Sequence, residues 1–184
     1  MPIPPFDGIL NVLPPHLGTD GIIQDLSPYE CDSLELCERF ATSNARRAIL
    51  SGFFALRAKL FGLGLTGFQW IDGSFVENIE AQESRDPTDV DVVTFVSPAF
   101  VGDDLKQRLM SEANLLSRKH VKSTYHVDHF LLPLSTQPAL LVEKTKYWYG
   151  LFSHRRDRVW KGMLVLPMED LYADAAAVAR LRSP

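Results

Sequence analysis

Two cysteines, Cys31 and Cys37, are all that 184 residues contain. That is too few for a disulfide framework or a structural zinc site, and it points to a reducing compartment. No apolar run approaches the roughly 18 residues a membrane-spanning helix needs. The opening Met1-Pro2-Ile3-Pro4-Pro5 has neither the basic nor the apolar region of a secretory signal. The expectation is a cytoplasmic chain with no membrane insertion. Excess charge is missing too: 19 Lys+Arg face 23 Asp+Glu, a formal net charge of −4. Whole-surface affinity for nucleic acid or anionic membrane is thereby excluded, and only a local basic cleft stays open. Repeats, low-complexity linkers and a second-domain boundary are also lacking, so residues 1–184 read as one domain. What is there, 46% hydrophobic and 23% charged residues, suits an ordinary globular core.

Five prolines (Pro2, Pro4, Pro5, Pro14, Pro15) make residues 1–27 an extended arm, which Ile3, Phe6, Ile9, Leu10 and Leu13 should pack onto the domain. Ser27-Pro28 reads as a helix start over about 28–40. Thr42-Ser43-Asn44 caps a second helix over 45–61, in which Ile49, Phe53, Leu56 and Leu60 form an apolar stripe of helical period. Strands are expected at 67–72 and 89–96, the second ended by Ser97-Pro98. A polar helix should span about 103–119, with Arg118-Lys119-His120 at its end, before a third strand at 125–132. Residues 147–153 and 162–166 read as two further strands, a hairpin around the basic turn His154-Arg155-Arg156-Asp157-Arg158. An Ala-rich helix should close the chain over 168–184.

The chemistry concentrates between residues 72 and 130. Asp89 and Asp91 are two apart on a strand, so both side chains leave one face. Such a pair repels itself unless a divalent cation bridges it. Asp128, between Val127 and Phe130-Leu131-Leu132, is a third acid where an unpaired charge would be costly. Three carboxylates converging from neighbouring strands suit Mg²⁺, which takes hard oxygen ligands. Taken alone, each could instead be a solvated strand junction. Asp72-Gly73-Ser74 follows a strand and precedes a short helix; Gly73 lets the backbone approach a ligand, while N–H groups and the Ser74 hydroxyl can hold a phosphate.

The order strand, Gly73-Ser74, short helix, strand with Asp89-Val90-Asp91-Val92, helix, strand with Val127-Asp128 resembles the nucleotidyltransferase superfamily of DNA polymerase β. The fourteen residues between Ser74 and Asp89 are slightly more than is usual in small members. The resemblance extends to small standalone bacterial nucleotidyltransferase-like proteins through Pro4-Pro5-Phe6, Leu13-Pro14-Pro15, Asp72-Gly73-Ser74-Phe75, Lys122-x-x-Tyr125-x-x-Asp128, Arg155/Arg156 and Lys161-Gly162. It implies an α+β fold: a polymerase β-like core with a small mixed sheet flanked by helices, the Pro-rich arm, and a carboxyl-terminal hairpin plus helix.

It further implies an enzyme using two Mg²⁺ or Mn²⁺ ions held by Asp89, Asp91 and Asp128. The reaction would move a nucleoside monophosphate from ATP, dATP or another triphosphate to a hydroxyl, releasing pyrophosphate. Gly73, Ser74, Lys122, Arg155, Arg156 and Lys161 would hold the triphosphate. The 144–161 cluster could equally form an oligonucleotide path, and Tyr147, Trp148 and Tyr149 could stack on a base or lie in the core. His126 shares the strand face of Asp128 in this reading, and His129 points away. The superfamily includes Hailong-type anti-phage enzymes that make short DNA oligomers from dATP, primed on a tyrosine. Tyr172 is the candidate priming hydroxyl here, or simply a residue packing the last helix; a partner effector protein would accompany such a role. Alternatives are a toxin-type transferase acting on tRNA or protein, a non-catalytic nucleotide-binding relative, and a structural protein whose Asp86–Asp91 segment binds Ca²⁺ or water.

Overall fold

A computed structural model describes residues 3–18, 23–97 and 103–182. Met1, Pro2 and Pro98, residues 19–22 of the arm and the last two residues of the expected terminal helix lie outside the described residues.

The arm carries strand β1 (His16–Leu17), paired antiparallel with β2 (Asp25–Leu26). Ile3, Val12 and Leu13 are buried, but Ile9 is 88% exposed and Leu10 is half exposed, so the arm packs at its ends and loops outward between them. Then come β3 (Tyr29–Glu30), α1 (Ser33–Phe40), α2 (Asn44–Gly62) and β4 (Gly67–Asp72). The expected helix start at Ser27 is corrected. The Ser27 hydroxyl accepts from the Met163 amide (2.8 Å), residues 29–30 pair with a later strand, and Asp32 caps α1 by accepting from the Glu35 amide (2.8 Å). Ser43 caps α2 as expected, and its stripe of Ile49, Phe53, Leu56 and Leu60 is buried.

A 3₁₀ turn at 74–76 and the short α3 (Ile79–Glu83) lead to β5 (Val90–Val96). The long helix expected over 103–119 is instead α4 (Asp103–Ser111), a 3₁₀ turn and α5 (Arg118–Tyr125). Ser117 restarts the helix by accepting from the His120 amide, so Arg118 opens a helix rather than closing one. His126 sits at φ +56° as the left-handed cap of α5, before β6 (Val127–Pro133) begins; it therefore does not share the strand face of Asp128.

The largest correction is α6 (Pro138–Phe152), where a strand was expected at 147–153. Pro138 at the first helical position and Gln137, accepting from the Leu140 amide at 3.0 Å, start it. Leu141, Trp148 and Phe152, spaced seven and four apart, pack on the sheet, and this burial overrides the strand preference of the aromatic triplet. The expected carboxyl-terminal hairpin does not form: β7 (Leu164–Pro167) lies between β3 and β4, and α7 (Leu171–Arg182) closes the chain.

The architecture is mixed α+β: a two-stranded antiparallel sheet and a five-stranded mixed sheet of order β3-β7-β4-β5-β6, flanked by helices. The β4–β5 pair is antiparallel and β5–β6 is parallel, the latter joined by the crossover through α4 and α5. One sheet face (Ile71, Val90, Val92, Val127) packs with residues of α1, α2, α5 and α7, and the other (Trp70, Val93, Phe95, Phe130, Leu132) packs with α6.

A buried polar chain crosses the first face. Arg57 can only donate, so its contact with Gln69 Oε1 (2.7 Å) leaves the Gln69 amide nitrogen to donate to Thr94 Oγ1 (2.9 Å). The single Thr94 hydrogen then goes to His129 Nε2 (2.8 Å), which fixes the proton of His129 on Nδ1. Burial pulls the His129 pKa down to about 4, consistent with a neutral ring turned away from Asp128. Among the described residues, no helix is long and apolar enough to cross a membrane.

Candidate functional site

Register brings the acids together. Asp91 pairs with Asp128 across the parallel β5–β6 ladder and with Asp72 across the antiparallel β4–β5 ladder. Side chains of paired residues share a face, and Asp89, two residues before Asp91, falls on it as well. Asp89, Asp91 and Asp128 each offer an oxygen, and these lie within 4.8 Å of one another. Two cations one helical turn apart on α5 face them. Lys122 Nζ is 2.5 Å from Asp89 Oδ2 and 3.3 Å from Asp128 Oδ2, while Arg118 grips both Asp128 oxygens, with Nη2 2.6 Å from Oδ2.

The consequences differ for each carboxyl. Burial, then the charges of Asp89 and Asp128, push Asp91 up to about 6, and no cation lies within ion-pair distance of it among the described residues. Burial would also raise Asp128, but Arg118 and Lys122 outweigh it and hold that carboxyl below its ordinary value.

The Gly73-Ser74 bend touches the same acids. Gly73 sits at φ +88°, and a Cβ there would lie 2.6 Å from Asp91 Oδ2, so only glycine lets the strand turn this close to the carboxylate. Behind the bend, Arg46 of α2 is buried and donates to the carbonyls of Phe75 (2.6 Å) and Glu77 (2.7 Å), fixing the turn that follows Ser74.

Lys161 belongs to this support rather than to the solvent-facing basic turn expected for it. It is 2% exposed, and its ammonium donates to Asp72 Oδ1 (2.7 Å), Glu77 Oε1 (2.9 Å) and the Gly73 carbonyl (3.3 Å). Burial alone would lower its pKa; Asp72 and Glu77 outweigh that and keep it charged. All three ammonium hydrogens are used, so none remains for a phosphate. Gly162 follows because a Cβ there would lie 2.5 Å from the Pro14 carbonyl of the arm.

A cleft of about 890 Å³ opens over these groups, toward the upper end of the roughly 300–1,000 Å³ usual for ligand sites. Asp72, Gly73, Ser74, Asp89, Asp91 and Asp128 line it, with Arg118 and Lys122 from α5, Lys144, Tyr147 and Trp148 from α6, and His154, Arg155 and Arg156 from the loop before β7. Arg155 is tied down by Gln82 Oε1, Asp157 (3.0 Å) and Glu77 (4.0 Å). Arg156 is exposed. The helical turn separates the aromatic triplet: Tyr147 and Trp148 line the cleft, whereas Tyr149 meets Trp70 at 6.3 Å between ring centres.

Tyr172 is not brought to the site. It is 88% exposed on α7, which packs on α1 and α2 and not on the cleft, and it does not pack that helix onto the core either. Cys31 and Cys37 are buried thiols, the latter pushed up to about 12 chiefly by burial.

Sequence reasoning missed Arg118, Asp72 as a partner of Lys161, and Glu77. The spacing of Arg118 and Lys122, four apart, was the available signal for two cations on one helical face.

The model of a family of unknown function, DUF6932, matches residues 4–167, and the chain belongs to that family. No curated protein and no solved structure matches it.

Proposed function

We propose that this DUF6932 chain is a metal-dependent nucleotidyltransferase on a DNA polymerase β-like core. It would transfer a nucleoside monophosphate from ATP, dATP or another triphosphate to a hydroxyl. The observation that carries the reading is the convergence of Asp89, Asp91 and Asp128 within 4.8 Å beside Gly73-Ser74 in one cleft. The donor set suits Mg²⁺ or Mn²⁺: three carboxylates, with the partly buried Asp91 lacking an ion-pair partner among the described residues. When bound, a pair of such ions supplies Lewis acidity and lowers the pKa of an attacking hydroxyl.

The chain's residues would then divide the work. Asp89 and Asp91 would hold the metal whose positive charge serves the α-phosphate. Asp128, kept ionised by Arg118, holds the side of the incoming hydroxyl. Ser74 Oγ and the amides of the bend receive the β- and γ-phosphates, and a swung-out Lys122 meets the same tail. The hydroxyl oxygen forms a bond to the α-phosphorus, the bond to the bridging oxygen breaks, pyrophosphate leaves, and the hydroxyl proton passes to solvent. Lys161 and Arg155 position the floor rather than touch the triphosphate. A dATP donor and an anti-phage role with a partner effector are finer proposals of the same reading; Tyr172 as an in-chain primer has no support in its position.

The test is pyrophosphate release from each labelled ribo- and deoxyribonucleoside triphosphate with Mg²⁺ or Mn²⁺. Asp91→Asn and Asp89→Asn should lower release at least about a hundredfold, near 2.7 kcal/mol at 1.36 kcal/mol per tenfold. One observation favours a second reading, a non-catalytic nucleotide binder: Arg118 and Lys122 already neutralise Asp128 and Asp89. Calorimetric binding of a triphosphate without pyrophosphate release would select that reading, and absence of binding would end both.

A further inference from the structure

One wall of the cleft is not used by the reaction just described. Between Pro138 and Lys161 the chain carries six cationic side chains and two acids, although the whole chain is net acidic. Both acids are taken: Glu143 by Lys146 (2.5 Å) and Asp157 by Arg155 (3.0 Å). Lys144 and Arg156 line the cleft, are exposed, and have no ion-pair partner among the described residues. Tyr147, three residues after Lys144 on α6, lines the same cleft and is 58% exposed, its ring edge-on to Trp148 at 5.0 Å. Trp148 is held from behind by Phe130 (4.5 Å) and Phe152 (5.6 Å), so Tyr147 projects from a rigid base. Leu151, one turn further along, is also half exposed. An apolar ring open to solvent, flanked by unspent cations, matches the alternation of base face and phosphate along a single strand, where stacking gives sequence-tolerant affinity and cations track the backbone.

We propose that α6 and the 154–160 loop bind the end of a single-stranded nucleic acid, with a base on Tyr147 and adjacent phosphates on Lys144 and Arg156. The inference deepens the nucleotidyltransferase reading by naming the acceptor class, a strand whose terminal hydroxyl reaches the carboxylates. A duplex is disfavoured, because its paired bases offer no free face to Tyr147.

Fluorescence anisotropy with labelled single-stranded DNA and RNA hexamers of mixed sequence, without triphosphate, tests it. The wild type should bind at least one hexamer, and more tightly than the matching duplex or a mononucleotide. Tyr147→Ala should weaken binding about tenfold. Lys144→Ala and Arg156→Ala should each flatten the slope of log K against log salt by about 0.7. All three residues are exposed, so the variants should fold, with circular dichroism as the check. Unchanged binding in the three variants, equal binding of mononucleotide or duplex, or no hexamer binding at all overturns the proposal. Hexamer binding with no pyrophosphate from any triphosphate sinks the catalytic reading and leaves this wall standing. Pyrophosphate release with no hexamer binding does the reverse.

Discussion

Lys122 occupies the place between two carboxylates that a divalent ion would want, so removing its charge should tighten metal binding. Its ammonium is 2.5 Å from Asp89 and 3.3 Å from Asp128. If it stayed about 4 Å from a bound dication in a solvent-like dielectric, repulsion would be about 2 kcal/mol. It can instead swing out, since its side chain is 47% exposed, at the expense of two ion pairs whose carboxylates are largely buried, worth the upper part of the range for exposed pairs, about 0.5–1 kcal/mol each. The cheaper route sets the penalty, so the wild type loses about 1–2 kcal/mol of metal affinity. Lys122→Met should therefore bind Mn²⁺ about five- to thirty-fold more tightly, read as loss of the free-ion electron paramagnetic resonance signal without nucleotide. The gain should shrink as salt rises, and Asp91→Asn should weaken binding in either background. Equal or weaker Mn²⁺ affinity in a folded Lys122→Met protein would refute the picture of lysine and metal competing for the same oxygens.

Four further outcomes follow from the contacts around the site. Lys161→Met strands Asp72 and Glu77 without their buried cation, which should cost about 3–5 kcal/mol and lower Tm by about 6–20 °C in thermal unfolding; an unshifted Tm would show the network to be dispensable. Gly73→Ala forces a side chain at φ +88° against Asp91, so about 1–2 kcal/mol of stability and much of the Mn²⁺ affinity should go together. Thr94→Val leaves both Gln69 Nε2 and His129 Nε2 buried without partners, about 2 kcal/mol or more; nitrogen-detected NMR of the parent should show His129 protonated on Nδ1, and the opposite tautomer would contradict the chain of donors. The Arg46 hydrogen bond holds the Glu80 carboxyl below its ordinary value, so the stability it adds is present above about pH 4.5 and is lost as pH falls through the lowered value. Glu80→Gln should flatten the acid limb of Tm against pH, and superimposable curves would refute this.

The parts legible in the sequence are those with a local cause. Period-3.6 burial and Ser43 mark α2, and alternation around Asp89-x-Asp91 marks β5 and the shared face of its acids. The parts that were not legible depend on partners distant in the chain. Residues 147–153 carry strand-favouring aromatics, yet Trp148 and Phe152 find the Phe130 and Val93 face of a sheet that only the fold assembles. Ser27 resembles a cap until Met163, 136 residues away, takes its hydroxyl. Lys161 looks like one more surface cation because nothing near it in sequence reveals Asp72 and Glu77.

The site acids need a register that they do not themselves enforce, since three like charges favour separation. A one-residue slip of β6 would carry Asp128 to the opposite face and bring His129 in its place. What resists the slip lies on the far side of the sheet. Arg57, which is itself anchored by Asp174 and the Pro167 carbonyl, Gln69, Thr94 and His129 form one line of hydrogen bonds across β4, β5 and β6. Slipping any strand would bury unpaired polar atoms at about 1–3 kcal/mol apiece, comparable with the repulsion the acids must withstand. The polar chain on one face therefore supplies the positional stiffness that the carboxylates on the other require, and Arg118 and Lys122 supply the charge balance.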